Sequence, residues 1–307
     1  MTPRVRRPGP GLACILLVAC AAPERPPALE REQHRSAAAA RTAFAEGDLG
    51  RAHALYMHAL ESARLDDDPL SLGNLSYNVA VVLAEQGEHA PALALLADAR
   101  AALERAGQPL HDVTLLRARI LRRAGDAVAA RRELDDLARQ QPDAEPTLAE
   151  AALLRGELAC DAGDTATARA ALADLAGVLG DDTERPQRPS TMALAAEILA
   201  REGQPQAAGE LRDRVAAAHR DAREFRRMAE MLARAGDAYQ AAGADAVAGD
   251  RFLRAAHSRR GARQTDQARV LLQRAEACAA RAGDAGLRAR VEALAHDLGV
   301  GDPPAGK

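Results

Sequence analysis

The sequence predicts an all-α protein, an α-solenoid of about seven helix–turn–helix repeats that are each 38–40 residues long. Three observations carry that prediction. Of the 307 residues 48% are hydrophobic, yet only 2% are aromatic, there is no Trp, and 76 are Ala. Sheets need β-branched and aromatic side chains, whereas small side chains let helices approach closely, so this mixture favours helices over a β-sandwich or barrel. A Gly, usually followed by an acidic or polar residue, recurs at Gly47, Gly87, Gly125, Gly163, Gly203, Gly243 and Gly283, at spacings of 40, 38, 38, 40, 40 and 40. The length lies near the upper limit for one spherical core, a limit that a repeat array does not have.

The first nineteen residues read as a secretory signal peptide. Arg4, Arg6 and Arg7 form a positive start, and an apolar run of about a dozen residues follows from Gly11. A spanning helix needs about twenty apolar residues, so a transmembrane anchor is not expected. Leu17-Val18-Ala19-Cys20 resembles the bacterial lipobox, with an aliphatic residue at −3 and a small one at −1. Cys14 fits less well, because Gly11 stands at its −3 position. The resemblance implies cleavage before Cys20 and lipid on that Cys. Ala21 rather than Asp in the next place implies the outer membrane, with the domain facing the periplasm. Residues 20–29, which contain Pro23, Pro26 and Pro27, are expected to form a short tether, since Pro does not enter a helix interior. The solenoid is expected over 30–299 and a disordered tail over 300–307.

Within each repeat the turn Gly is placed to end one helix in the left-handed conformation. Five residues later comes Ala52, Ala92, Ala130, Ala168, Ala208 or Ala248, small enough for the second helix to pack on the first. Four further on stands a large residue, Tyr56, Leu96, Leu134, Leu172 or Phe252, at helical spacing. Arg212 breaks this column, and Leu211 is expected to take its role. Next come Ala59, Ala99, Leu137, Leu175, Val215 and Ala255. Seven such turns imply about fourteen helices of roughly 13–18 residues.

This pattern resembles the tetratricopeptide repeat. That family places a small residue seven positions before the turn Gly and a bulky one four before. Here the small residues are Ala40, Ala80, Ala118, Gly156, Ala196 and Gly236, and the bulky ones include Leu83, Leu121, Leu199 and Tyr239. The resemblance covers about residues 30–298 and implies a right-handed solenoid. Three departures stand out. The period exceeds the family's 34 residues. Asp181–Ser190, with Pro186 and Pro189, reads as a loop insertion between repeats four and five. The seventh repeat carries Glu276 and Arg288 where small residues are expected, as suits a terminal cap whose outer face meets water.

Few residues suggest chemistry. There is no zinc-protease helix motif, P-loop, dinucleotide fingerprint or nucleophile elbow, and the eight His residues do not cluster at metal spacing. Asp66-Asp67-Asp68-Pro69 reads as an acidic inter-helix loop rather than a cation site. Cys160 and Cys278 lie about three repeats apart, too far to bridge, and read as small buried hydrophobes. The net charge is −3, with 41 basic against 44 acidic residues, which excludes a general nucleic-acid binder. The expectation is therefore a non-enzymatic protein with no cofactor and no metal.

In tetratricopeptide arrays the first helix of each repeat lines a concave surface where peptides bind. That resemblance assigns a candidate groove: Arg41, Phe44, Asn74, Tyr77, Arg119 and Arg122 in repeats one to three, then Glu150, Glu157, Asp161, Glu197, Glu230, Asp237 and Gln240 in repeats four to six. The first half would be basic and aromatic and the second acidic, a dipole that orients a charged peptide. Phe44 and Tyr77 would be its anchors. Asn78 falls near a position of the family's carboxylate clamp, but that clamp's Lys residues are missing, so the activity is not carried over. The expected function is an adaptor for a protein or peptide partner, tied to the membrane by its N-terminal lipid. A peptide-sensing regulator, or a non-catalytic subunit of an envelope or cell-wall enzyme complex, is the alternative. The sequence leaves the oligomeric state open.

Overall fold

A computed structural model describes residues 28–140, 144–179 and 188–299. The lipobox, Cys20, the start of the expected tether, and the tail at 300–307 lie outside the described residues. Fourteen α-helices are described, paired into seven hairpins. They are α1 (Ala28–Ala45) with α2 (Leu49–Asp66), α3 (Pro69–Gln86) with α4 (His89–Arg105), α5 (His111–Arg123) with α6 (Ala127–Arg139), and α7 (Glu145–Asp161) with α8 (Thr165–Leu179). After them come α9 (Arg188–Arg201) with α10 (Pro205–Asp221), α11 (Phe225–Ala241) with α12 (Asp245–Gly261), and α13 (Thr265–Ala282) with α14 (Ala285–Asp297). The helix lengths, 13 to 18 residues, are those that the seven turns imply. α1 begins at Ala28, inside the stretch expected to be tether. Arg188, Pro189 and Ser190, expected in a loop, form the first turn of α9, where a Pro loses no hydrogen bond because those N–H groups have no helical partner.

All seven turn glycines have positive φ, from 67° to 86°. After each of them the next backbone N–H donates to the carbonyl five residues earlier, as Asp48 does to Ala43 and Asp284 to Ala279. This closes the helix end and satisfies carbonyls that the helix leaves open. The acidic residue after the Gly then caps the next helix. Asp48, Asp126, Asp164 and Asp284 each accept from the N–H three residues on. Asp68 does the same for α3, and Pro69 takes the first helical position. Asp66–Asp68 is therefore a helix end and a cap, and no group of three or more potential metal ligands occurs among the described residues.

The repeat columns are the core. Every residue of the small columns, from Ala40 to Gly236 and from Ala52 to Ala248, is buried. The large column is buried too, except Leu172, which is half-buried. Leu211 is also only half-buried, and Arg212 itself occupies the core position, with 7% of its surface exposed. Its guanidinium donates to Glu197 (2.7 Å) and to the carbonyl of Arg234 (3.1 Å), so its charge is paired and its stem does the packing. The seventh hairpin keeps the pattern shifted by one residue. Ala275, Leu287 and Val291 are buried, while Glu276 and Arg288 point to solvent.

Odd-numbered helices form one layer and even-numbered helices the other. α5 lies against both α3 and α7, and α7 against α9, while α12 meets α14. The odd layer faces inward. Glu85, at the end of α3, accepts from Arg123 of α5 (3.2 Å) and also from Arg226 at the start of α11 (3.4 Å), 141 residues away. Only the concave side of a curled array brings such distant members together.

Candidate functional site

The candidate groove residues all lie on odd-numbered helices. Phe44 and Tyr77 are half-buried and pack against the first core cluster, while Arg41 and Asn74 are exposed. Burial raises the Tyr77 hydroxyl pKa, and the nearby Asp112 carboxylate adds to the effect. Phe44 and Tyr77 therefore each offer one ring face rather than a free side chain.

The charged residues do not divide into a basic and an acidic half as expected. Arg119 donates to Glu150 (3.1 Å). Arg122 reaches both Asp161 and Glu157 at 2.6 Å, across the α5–α7 seam. Expected opposites are thus ion-paired where the two halves meet. The pairing continues along the layer, with Glu197 joined to Arg201 and Arg212, Glu230 to Arg234 (2.7 Å), and Asp237 to Arg274. Arg274 also donates to Gln240 (3.3 Å) and lies 4.0 Å from the centre of the Phe252 ring. Arg119 with Glu150, Arg122 with Glu157 and Asp161, and Arg274 with Asp237 staple first helices of adjacent repeats, whereas Glu230–Arg234 and Glu197–Arg201 lie within one helix and Glu197–Arg212 within one hairpin. The long-range dipole is correspondingly reduced.

Glu157 is a partly enclosed carboxylate of the face. Burial raises its pKa, outweighing the opposing influence of Arg122 and Arg119. About a third of its side chain, 34%, still meets solvent, so the carboxylate stays reachable. Arg122 experiences the same burial, but its bond to Asp161 and the charge of Glu157 more than offset it and raise its pKa. A ligand entering here meets a carboxylate that is incompletely neutralised beside a guanidinium that is firmly charged.

Glu85, Arg123, Arg201 and Arg226 were not among the expected groove residues. Glu85, Arg123, Asp161 and Arg201 all stand two residues before a turn Gly, and reading that column as a set finds the first two and Arg201. Arg226 had no such signal, because its partner is four repeats away. Cys160 and Cys278 are buried and free. Burial raises both thiol pKa values, which suits inert core residues.

No family model matches the sequence, and no curated protein matches it significantly. Solved structures do match. A Rap protein complexed with Competence and Sporulation Factor is similar over 87% of this chain and 76% of its own, at 14% identity and a TM-score of 0.58. The apo form of the quorum sensor NprR from B. thuringiensis is similar over 88% and 77%, at 13% identity and a TM-score of 0.56. A tetratricopeptide repeat protein from Parabacteroides merdae covers 85% of this chain and 99% of its own, at 14% identity and a TM-score of 0.48. At these identities the likeness is one of fold alone, that of an α-solenoid of helix–turn–helix repeats.

Proposed function

We propose that this protein is a non-enzymatic interaction adaptor whose inner layer holds a peptide segment or helix of a partner protein. The observation that carries this reading is the inner-layer face on which Tyr77, close to Arg119 and Glu150, shares a layer with the Arg122–Glu157–Asp161 pairs. It presents a fixed aromatic face beside charges that are paired with one another yet reachable. A peptide carrying both signs can exchange with those pairs, so selectivity comes from their order along the face more than from raw attraction. Cys20 carries the lipid in this proposal, which ties the solenoid to the outer membrane on its periplasmic side, within an envelope complex.

The test is cross-linking in native membranes followed by identification of partners. Wild type is compared with a Phe44→Ala, Tyr77→Ala variant, which leaves the ion pairs alone. An envelope protein captured by wild type and lost with the variant supports the adaptor and its inner-layer face. Capture by both would mean that the contact surface lies elsewhere. Labelling with a radioactive fatty acid checks the anchor: label is expected on wild type and absent from Cys20→Ala, and label on that variant would place the lipid on another residue.

A second reading has one observation in its favour, the fold likeness to a Rap protein complexed with Competence and Sporulation Factor and to a quorum sensor. The same face would then take a short signal molecule and act as a regulator. Co-purification of a small peptide, with no protein partner cross-linked, would favour it.

A further inference from the structure

A pocket of about 700 Å³ opens where α10 ends, α11 begins and α12 ends. None of its lining residues belongs to the inner-layer groove. Phe225, Met228 and Leu232 form an apolar wall at helical spacing along α11, and Arg220, Arg254 and His257 stand around it. Phe225 is 53% exposed, whereas Phe44 is half-buried and Phe252 is buried. The Ser258 hydroxyl donates to the Phe225 carbonyl (3.1 Å), which fixes the base of that side chain against α12.

The surroundings are strongly cationic in a chain whose net charge is −3. Residues 219–227 and 254–263 together hold eight Arg against two acids, Asp221 and Glu224. Arg223, Arg254 and Arg263 have no hydrogen bond or ion pair from their side chains among the described residues. Burial disfavours the charge on Arg259, and the nearby Arg226 adds to that. Arg223 and Arg263 occupy equivalent corners one repeat apart, with φ of 59° and 60°. A left-handed conformation is unfavourable for a non-Gly residue, and Gly107 fills the same kind of corner elsewhere. The chain thus keeps two unpaired cations in strained places beside an open apolar pocket.

We propose that this pocket is a second binding surface, taking a bulky apolar side chain from an acidic segment of a partner protein. A bilayer is too flat to enter a concave site, and nucleic-acid phosphates have no use for an apolar wall. The outer side is open, so a small lipid would leave much of itself in water, whereas a peptide needs to insert only one anchor. The surrounding arginines then meet the flanking carboxylates.

The probe is a fluorescein-labelled peptide of about twelve residues, with a Leu-Phe pair at its centre and Asp and Glu on both sides, read by fluorescence anisotropy on the full chain. An Arg254→Glu, Arg263→Glu variant is expected to bind at least about tenfold more weakly, as hot-spot loss does. Phe225→Ala, at an exposed position, and Met228→Trp, which fills the pocket, are expected to weaken binding similarly while helical circular dichroism is retained. Tyr77→Ala is expected to leave it unchanged. Equal binding of a peptide with Ser-Ser at its centre would overturn the pocket and leave charge alone. Loss of binding with Tyr77→Ala would place the peptide in the inner layer instead. Equal retention on phosphatidylglycerol vesicles, lost with the same Arg variant, would assign the surface to a membrane.

Discussion

Gly236 and Gly243 stand seven residues apart and meet opposite requirements. Gly243 has φ +76° and open space around a notional Cβ, so its requirement is conformational. Gly236 lies within α11, where a Cβ would come 2.5 Å from the Phe252 ring, so its requirement is one of space. Ala at 243 should destabilise by about 1 kcal/mol through backbone strain. Ala at 236 should destabilise by about 1–3 kcal/mol through overpacking, less a smaller gain in helix propensity. Urea titration with Phe252→Leu as the second change separates the two. The smaller side chain should rescue Gly236→Ala and leave Gly243→Ala unaffected. At Arg212 the alternatives differ in packing. Glu197 retains Arg201 when Arg212 is lost, so no carboxylate is stranded. Arg212→Leu should therefore change stability by less than about 1 kcal/mol, while Arg212→Ala, which leaves a void, should cost about 2 or more. A larger loss with Leu than with Ala would show that the charge, not the volume, is needed there.

At the scale of helices, the capping carboxylates make stability depend on pH. The Asp68 and Asp164 pKa values are lowered in the folded protein, first by the hydroxyls of Ser71 and Thr167 and further by backbone N–H groups. Their contribution is complete above the unfolded carboxylate pKa, about 3.9, and is lost as pH falls through the lower folded values. Glu157 has the opposite sign. Its raised folded pKa means that stability falls as pH rises from its unfolded value through its folded one. Thermal unfolding followed from about pH 5 down to about pH 3 should show a declining midpoint. Asp68→Asn with Asp164→Asn should flatten the decline, and Glu157→Gln, which removes the relief on protonation, should steepen it. The terminal hairpin gives an independent check on register. Glu276 and Arg288 occupy columns that are buried elsewhere, yet both are exposed here. Ala at either place should shift stability by no more than about 0.5 kcal/mol, as at ordinary surface sites. A gain well beyond that would restore the unshifted register.

For the whole molecule, curvature is the property with most consequence. A solenoid is held by contacts between neighbouring repeats, so a bond from α3 to α11 is an exception. The pair is solvent-exposed, and such pairs contribute only about 0–1 kcal/mol. That is too little to affect folding but enough to bias the pitch of an elastic coil. Glu85→Arg should increase the radius of gyration in small-angle scattering at low salt, and adding Arg226→Glu should restore it. At about 0.5 M salt wild type and variant should converge, because screening removes the exposed pair. No change at low salt would mean that neighbour packing alone sets the curvature.

The Gly spacing, the Ala columns and the scarcity of aromatic residues determined the fold by themselves, because a repeat is a local object. Its turn, its cap and its helix-to-helix contact all fall within about forty residues, and each leaves a mark at a fixed offset. The placement of the candidate residues on the first helix of each repeat was legible in the same way, as was the burial of Cys160 and Cys278. Three things were decided only in the folded chain. Arg212 filled a core place expected for Leu211, since a Glu one helix away could pair with its charge. The expected dipole became a ladder of ion pairs, because charges 31 to 39 residues apart in the sequence sit side by side on neighbouring first helices. Arg226 met Glu85 across 141 residues, and the ends of α10 and α12 came to frame a pocket with the start of α11. These depend on how each repeat turns relative to the last. That small rotation accumulates along the array and appears in no single repeat.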